Sequence, residues 1–191
     1  MQKIIIGLTG ASGVIYGIRL LEVLRNIGDI ETHLIISSAA KKTLGLETIY
    51  TLRDVQAMAG VVYDNRDIAA AISSGSFITS GMIIMPCSIK TLSGIANSYN
   101  DTLITRSADV ILKEKRKLIL GIRETPLHIG HLKLMMNLIE IGAIIFPPMP
   151  AFYHKPKTIQ DIIDQTVNRI LDQYGISMII SKNLFTRWTG F

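Results

Sequence analysis

The 191-residue sequence is poor in cysteine, tryptophan and charge. Its single cysteine, Cys87, excludes an intramolecular disulfide framework and a multi-cysteine zinc site, and it fits a reducing cytosol. The apolar runs are short and broken by Gly, Pro or charge, so no segment is long enough to cross a bilayer. Residues 1–8 have the pattern of a strand and not of a cationic leader with an apolar core, which argues against a secretory signal. These absences predict a cytoplasmic protein without a membrane segment.

Apolar residues are abundant, at 48% of the chain, against 18% charged residues. This composition can bury a sizeable core and excludes a disordered chain. We expect one domain over residues 1–175 and an apolar tail, 176–191, that packs on a neighbouring subunit. Twenty Lys and Arg against 15 Asp and Glu give a net charge of +5, which favours anionic partners. The densest basic run, residues 113–117, lacks interleaved aromatics, so a phosphorylated small molecule is expected rather than nucleic acid.

Short β-branched runs alternate with amphipathic segments along the chain. Buried strands are predicted at residues 3–8, 32–36, 82–85, 118–122 and 143–146. Helices are predicted at residues 14–27, 39–47, 88–97, 104–117, 131–141 and 159–174, with one or two short helices within 51–73. This alternation predicts an α/β, three-layer, Rossmann-like fold with a mainly parallel sheet. Ligands of such sheets bind outside the carboxyl ends of the strands, so the loops that follow the strands are the candidate site.

The first such loop, GLTGASG at residues 7–13, joins a strand to a helix. Glycines let the backbone approach a ligand, and a helix N-terminus offers free amides to a phosphate. The spacing is not GxGxxG, and the second strand ends in two serines instead of an acidic residue, which disfavours a nicotinamide dinucleotide. Ser12 and Ser37 suit the phosphate and ribityl hydroxyls of a mononucleotide. A glycine turn needed only for packing is the alternative.

The loop after the third predicted strand, PCSIKT at residues 86–91, offers a second place for an anion. Ser88 occupies a predicted N-cap, with Lys90 and Thr91 in the first helical turn. An ordinary capped helix is the alternative. Cys87 has no histidine near it in sequence, so a small core residue is the favoured interpretation over a nucleophile.

Charged residues cluster at two further places. Steps of three and four residues put Arg106, Asp109 and Lys113 on one helical face, where an intrahelical ion pair is the simplest interpretation. Arg123 and Glu124 follow a buried strand, which places a cation and a carboxylate at the carboxyl edge of the sheet.

A histidine pair and an aromatic loop follow. His128 and His131 form an HxxH pair that could hold a metal with Glu124. HxxH without HExxH is a weak signal, so capping or hydrogen-bonding histidines are favoured and no metal is predicted. The proline-rich residues 147–150 precede Phe152 and Tyr153, which places aromatic rings beside the same edge.

Taken together, these segments resemble the flavin prenyltransferases of the UbiX and Pad type, formerly described as aromatic acid decarboxylases. The matching segments, in the family's order, are GLTGASG (7–13), HLIIS (33–37), ET (47–48), SSGS (73–76), PCSIKTLSGIA (86–96), RSADVILKE (106–114), RETP (123–126), PPMPAFYHKP (147–156), RIL (169–171) and RW (187–188). No single segment is decisive, but the ordered set spans nearly the whole chain.

The resemblance implies an α/β flavoprotein that joins the dimethylallyl group of dimethylallyl phosphate to reduced FMN. The prenylated FMN would then serve a UbiD-type decarboxylase. The resemblance further implies a homododecamer with sites at subunit junctions and no metal. Direct, FMN-dependent decarboxylation of an aromatic (phenolic) acid is the main alternative. A cysteine decarboxylase of the same fold, a non-enzymatic flavin-binding protein and a basic nucleic-acid module are less favoured.

The resemblance also assigns residues. FMN binding falls on Gly10, Ala11, Ser12, Ser37, Ser88, Ile89, Lys90, Thr91 and Arg123. Donor binding falls on Lys113, Tyr153, Arg169, Arg106, Ser74, Ser76 and Trp188. The catalytic set is Glu47, Glu124, Lys113, Arg169 and Tyr153. In this scheme the basic residues and the tyrosine stabilise the departing phosphate, the two glutamates move protons, and the tryptophan shields an allylic cation. Lys90 departs from the glycine that the family often has at this position.

Overall fold

The structure is a computed structural model that describes residues 1–176, 187, 188 and 190. The chain divides into two compact units, Met1–Pro147 and Pro148–Phe191. The domain boundary expected at residue 175 stays a prediction. Most of the predicted tail, residues 177–186, 189 and 191, lies outside the described residues.

A parallel sheet of six strands organises the first unit, in the spatial order β3-β2-β1-β4-β5-β6. The strands are β1 Gln2–Leu8, β2 Ile30–Ile36, β3 Val61–Tyr63, β4 Gly81–Cys87, β5 Lys117–Ile122 and β6 Ala143–Ile145. Strand β4 is buried over its whole length, as expected for a strand covered on both faces. The predicted α/β fold with a parallel sheet is therefore confirmed.

Helices cover both faces of this sheet. In the first unit they are α1 Val14–Arg25, α2 Ser38–Glu47, α3 Leu52–Gln56, α4 Ile89–Ala96, α5 Leu103–Lys113 and α6 Ile129–Glu140. Ile5, Met82 and Leu118 form a core with side chains of α4, α5 and α6 on one face. Ile4 and Ile6 project from the opposite face of β1 and are fully buried, and α1 packs against β1, β2 and β4. These contacts give the three layers that the alternation of strands and helices predicts.

Two predicted stretches differ from the structure. Residues 51–73, predicted as short helices, contain α3 but also strand β3, which is only partly buried and three residues long, too short to show a period of two. The helix predicted at 104–117 ends at Lys113, because Lys115 adopts a left-handed conformation (φ 53°) and Lys117 begins β5.

The second unit contains α7, Ile159–Asp172. A capping box begins it: Asp161 N–H donates to Thr158 Oγ1 (3.1 Å), and Thr158 N–H donates to the Asp161 carboxylate (3.0 Å). Across the described part of the chain, no helix combines the length and the apolar character that a membrane span requires.

Candidate functional site

The loops after β1 and β4 are tied together by Thr9, a buried residue that the sequence did not single out. Its hydroxyl donates to Pro86 O (2.8 Å) and accepts from Ser88 N–H (2.8 Å). The neighbouring Gly10 lies against the start of α2, where a Cβ at position 10 would come within 2.3 Å of Ala39 Cβ. Thr9 and Gly10 therefore hold the N-termini of α2 and α4 at one edge of the sheet.

Serines cap both of these helices. Ser37 Oγ accepts from Ala40 N–H (3.1 Å) at the start of α2. Ser88 Oγ accepts from Thr91 N–H (3.4 Å) at the start of α4, which confirms the predicted N-cap. Each helix N-terminus carries a partial positive charge and orphan amides, so the two together favour an anionic ligand.

A cavity of about 950 Å³ opens at these two helix ends, and we name it the large cavity. Six of the nine predicted FMN-binding residues line it: Gly10, Ser37, Ser88, Ile89, Lys90 and Thr91. Its volume lies at the upper end of the range for small-molecule sites and leaves room for a flavin mononucleotide. The hydroxyls, helix ends and close backbone approach fit the phosphate and ribityl groups of FMN.

Three predicted FMN-binding residues do not line the large cavity. Ala11 and Ser12 lie in the loop between β1 and α1, and Arg123 follows β5, where its N–H donates to Cys87 O (3.3 Å). The cavity wall also contains Asp101, which sequence reasoning missed and which pairs with Lys90 (3.6 Å).

Two of the amides at the N-terminus of α1, those of Gly13 and Val14, are already bonded within the chain. The Glu47 carboxylate, at the end of α2, accepts from Gly13 N–H (2.8 Å) and Val14 N–H (3.4 Å). Gly13 is the N-cap in a left-handed conformation (φ 95°) and has no side chain to cap the helix, so Glu47 fills that role. The predicted proton-transfer residue is thus fixed beside the first loop, and the helix ends that line the large cavity are those of α2 and α4.

Residues 73–77, which we name the serine loop, bring a second group of predicted residues together. Ser74 Oγ and Ser76 Oγ are 2.8 Å apart, and Arg106 Nε donates to Ser73 O (3.2 Å). A Cβ at Gly75 would lie 2.9 Å from Lys113 Nζ, which places the predicted lysine against this loop.

Ion pairs set the charges around the serine loop. Arg106 bonds to Asp109 (3.1 Å), which confirms the predicted intrahelical pair. Lys113 instead pairs with Glu114, and this pair lowers the pKa of the Glu114 carboxyl. Glu124 lies apart, exposed after β5, with its carboxylate accepting from Thr125 N–H (3.0 Å).

The second unit has a pocket of its own, of about 570 Å³, which we name the arginine pocket. Tyr153, Gln165, Arg169, Arg187 and Trp188 line it, so three predicted donor-binding residues meet there. Gln165 Nε2 donates to the tyrosine hydroxyl (3.3 Å), and the tyrosine ring meets the tryptophan ring edge-on at 6.0 Å.

Asp172 organises the cations of the arginine pocket. Its carboxylate accepts from Arg169 Nη1 (2.8 Å) and from both Nη atoms of Arg187 (2.7 and 3.1 Å). The pair with Arg187 raises the pKa of that guanidinium further. Two guanidiniums on one carboxylate leave a net positive charge, which suits a phosphate. The spacing of residues 169 and 172 on a helix was the available sequence signal for this pair.

Cys87 and the histidines take no part in a metal or nucleophile site in the described residues. Cys87 is fully buried, and burial raises the pKa of its thiol, so its prediction as a core residue is confirmed. His128 caps α6 by accepting from Gly130 N–H (3.0 Å), as a capping histidine was predicted to do. The part of the chain that the structure describes contains no group of three His, Cys, Asp or Glu side chains placed to hold a metal ion.

Comparison with known proteins identifies relatives of this chain. The Flavoprotein family matches residues 1–171. Flavin prenyltransferase UbiX of Escherichia coli strain K12 is 62% identical over 190 residues, which cover 100% of both chains. The crystal structure of AnUbiX (PadA1) in complex with FMN and dimethylallyl pyrophosphate is 46% identical, with a TM-score of 0.95 over 100% of this chain and 98% of that chain. A dodecameric FMN-dependent UbiX-like decarboxylase from Escherichia coli O157:H7 is 49% identical, with a TM-score of 0.94 over 100% of both chains.

Proposed function

Because the chain belongs to the Flavoprotein family and, within it, to the UbiX-type flavin prenyltransferases, we propose that it joins a dimethylallyl group to FMN. It is a prenyltransferase, and FMN is its flavin. The observation that carries the proposal is the large cavity, where two serine-capped helix ends meet in a chain 62% identical to a flavin prenyltransferase over its whole length.

The large cavity holds the flavin in this proposal. Bound FMN, in its reduced form, supplies the nucleophile that accepts the prenyl group. Ser37, Ser88 and Thr91 provide hydroxyls, and the first amides of α4 provide donors, for the phosphate and ribityl groups. Gly10 keeps the backbone close enough for these contacts.

The donor is bound by cationic side chains. Arg169 and Lys113 neutralise the negative charge that develops on the phosphate as the allylic carbon–oxygen bond breaks, and the Tyr153 hydroxyl donates to it. Trp188, beside the tyrosine, provides an aromatic face for the allylic cation. Glu47 and Glu124 are the residues proposed to move protons, the first held by the amides at the start of α1.

Dimethylallyl phosphate is the donor proposed over the pyrophosphate that one solved relative binds. The prenylated FMN is proposed to serve a UbiD-type decarboxylase. The cytoplasm is the proposed location, because one cysteine in 191 residues suits a reducing compartment.

A homo-oligomer, proposed to be a dodecamer like the solved relative from Escherichia coli O157:H7, is supported by α6. Its large apolar residues Ile129, Leu132, Met136 and Ile139 recur every three or four residues and are between 43% and 68% exposed. An apolar stripe of this size on a surface helix is typical of a contact between subunits. Met136→Glu should reduce the mass measured by light scattering, whereas Asn137→Glu, the same charge on the adjacent exposed position, should not.

Direct decarboxylation of an aromatic acid is the second candidate, and it has less support, because the relative that is 62% identical over the full chain is a prenyltransferase.

Release of inorganic phosphate tests the proposed function. Purified protein is mixed anaerobically with dimethylallyl phosphate, with and without reduced FMN, and in a separate arm with reduced FMN and a phenolic acid. We expect phosphate release only with reduced FMN present and no carbon dioxide from the phenolic acid. Carbon dioxide without phosphate release would support the decarboxylase and reject the transferase.

A further inference from the structure

Arg116 holds the serine loop from outside the predicted site. It lies between α5 and β5, and its Nη2 donates to Gly75 O (2.6 Å) while its Nη1 donates to Phe77 O (2.9 Å). A guanidinium presents its N–H groups in a rigid planar fork. Two bonds to carbonyls two residues apart therefore fix both the position and the direction of the loop.

The loop needs such a support. Residues 74–80 have no regular secondary structure, and the side chains of Ser74 and Ser76 are exposed. A segment with a glycine at its centre has a large backbone entropy to lose when it is ordered. The two bonds from Arg116, together with the bond from Arg106 to Ser73 O, support a segment that lacks the ladder of hydrogen bonds of a strand or helix.

The position of the loop decides which groups meet. A Cβ at Gly75 would lie 2.2 Å from Glu114 Oε1 and 2.9 Å from Lys113 Nζ, so the loop backbone packs directly on this ion pair. The serines on either side of Gly75 in sequence have hydroxyls 2.8 Å apart. Hydroxyl donors beside an ammonium group are a suitable set of donors for a phosphate monoester.

We propose that Arg116 is a positioning residue of the transferase, which fixes the serine loop so that Ser74, Ser76 and Lys113 bind the phosphate of the dimethylallyl donor together. This inference rests on the proposed function. Arg116 acts through the loop carbonyls and has no direct contact with the donor. Its loss therefore weakens donor binding and leaves the large cavity, whose wall does not include Arg116, able to bind FMN.

Arg116→Ala and Arg116→Lys test the inference in the full-length protein. In the alanine variant the KM for dimethylallyl phosphate should rise about ten- to hundredfold, because two hydrogen bonds from a charged donor are lost. The Kd for FMN, followed by flavin fluorescence, should stay unchanged. The lysine variant should recover part of the loss, since an ammonium can bond one carbonyl but not both in the same plane. Added guanidinium ion should lower the KM of the alanine variant and not that of the wild type.

Arg25→Ala is the matched control, because it removes the same group from the exposed end of α1. Its KM and Kd should equal those of the wild type. Gly75→Ala probes the same loop with Arg116 intact: the added Cβ displaces the Glu114 carboxylate and with it the pair with Lys113, so the KM for the donor should rise without a change in FMN affinity.

The outcomes separate the two hypotheses. A wild type that releases no phosphate rejects the proposed function. A wild type that is active, with Arg116→Ala lowering the melting temperature and leaving the donor KM unchanged, rejects the positioning role and leaves the function standing. If Arg116→Ala does not fold, a normal donor KM in Gly75→Ala and Arg116→Lys overturns the inference on its own.

Discussion

The large cavity and the arginine pocket are both suited to anions, but they are built from different groups. At its helix ends the large cavity has neutral donors that the backbone fixes in place, namely the serine caps and first amides of α2 and α4, although Lys42 and Lys90 also line its wall. The arginine pocket uses long cationic side chains that a single carboxylate, Asp172, holds in position. The first type of site forms with the sheet and helices, whereas the second depends on ion pairs between long side chains whose rotamers must be fixed.

In the proposed function, this difference suits the two reactants. A flavin must be held through a complete reaction with its ring oriented, and preorganised amides and hydroxyls do this at no cost in side-chain entropy. A phosphate leaving group gains negative charge as the carbon–oxygen bond breaks, and guanidiniums placed beside it stabilise that charge in the transition state. The contrast predicts that flavin binding and prenyl transfer can be lost separately.

The largest expected effect is on transfer. Arg169→Ala should lower kcat about 10²- to 10³-fold, the usual result of removing a donor to a developing anion, with the FMN affinity unchanged. Gln160→Ala, at an exposed position on the same helix, is the control and should be fully active. Stopped-flow absorbance of the flavin measures both. Loss of FMN affinity in the arginine variant would show that the two sites are not separate.

The next effect is on flavin binding. Gly10→Ala should weaken FMN binding about tenfold or more, since its Cβ would push the start of α2 away from the first loop. Gly45→Ala, in the same helix with no atom within 4 Å of the new Cβ, should bind FMN normally and be slightly more stable. Fluorescence titration gives the two dissociation constants. Equal FMN dissociation constants for the two variants would show that Gly10 is not needed for FMN binding.

Helix caps provide a smaller effect that still distinguishes the two regions. Ser88→Ala and Thr158→Ala each remove an N-cap hydroxyl and should each lower the free energy of unfolding by about 1 kcal/mol. Only Ser88→Ala should also weaken FMN binding, because Ser88 lines the large cavity and Thr158 does not. Urea denaturation and flavin titration check the pair. A loss of FMN affinity in the threonine variant would contradict the comparison.

The smallest effect is on the pH dependence of the free energy of unfolding. His33, buried on β2, bonds to Glu31 (2.7 Å) and to the Tyr63 hydroxyl (2.9 Å), and burial lowers its pKa below 6.5 despite the opposing effect of Glu31. The unfolded chain therefore binds a proton at His33 more readily than the folded chain does. The contribution of neutral His33 to the free energy of unfolding is fully present above pH 6.5 and is lost as the pH falls through the folded pKa. His33→Gln should remove this loss, measured by urea denaturation at several pH values.

The second unit should respond to acid in a different range. Hydrogen bonds from Lys157 N–H and Thr158 N–H lower the pKa of Asp161 below 3.8. The contribution of the Asp161 carboxylate to the free energy of unfolding is therefore present above pH 3.8. It is lost only as the pH falls through the lower pKa that this carboxyl has in the folded protein. A variant Asp161→Asn that changed the stability profile near pH 6 would contradict this assignment.

Local signals made much of the large cavity predictable. The strands β1, β4 and β5 are continuous apolar runs, and a serine at the end of such a run before a helix is a cap by its own chemistry. Strand β3 was missed because an edge strand of three residues has no period to detect.

Contacts between residues far apart in the sequence could not be predicted in the same way. Glu47 caps a helix 34 residues earlier, Arg187 bonds to a carboxylate 15 residues earlier, and Arg116 bonds to a carbonyl 41 residues earlier. Each pair consists of common residue types whose partner is chosen by the fold. The sequence therefore predicts candidate donor-binding residues, one of which, Arg106, also bonds to the serine loop, but it gives no signal for Asp172 or Arg116 as the groups that hold the others in place.

The most direct test of the central claim is the mass of the flavin made by the wild-type protein. Protein is incubated anaerobically with reduced FMN and dimethylallyl phosphate, and the flavin is extracted and measured by mass spectrometry. The account predicts a gain of one five-carbon prenyl unit. Tightly bound FMN of unchanged mass, with the donor intact, would contradict it.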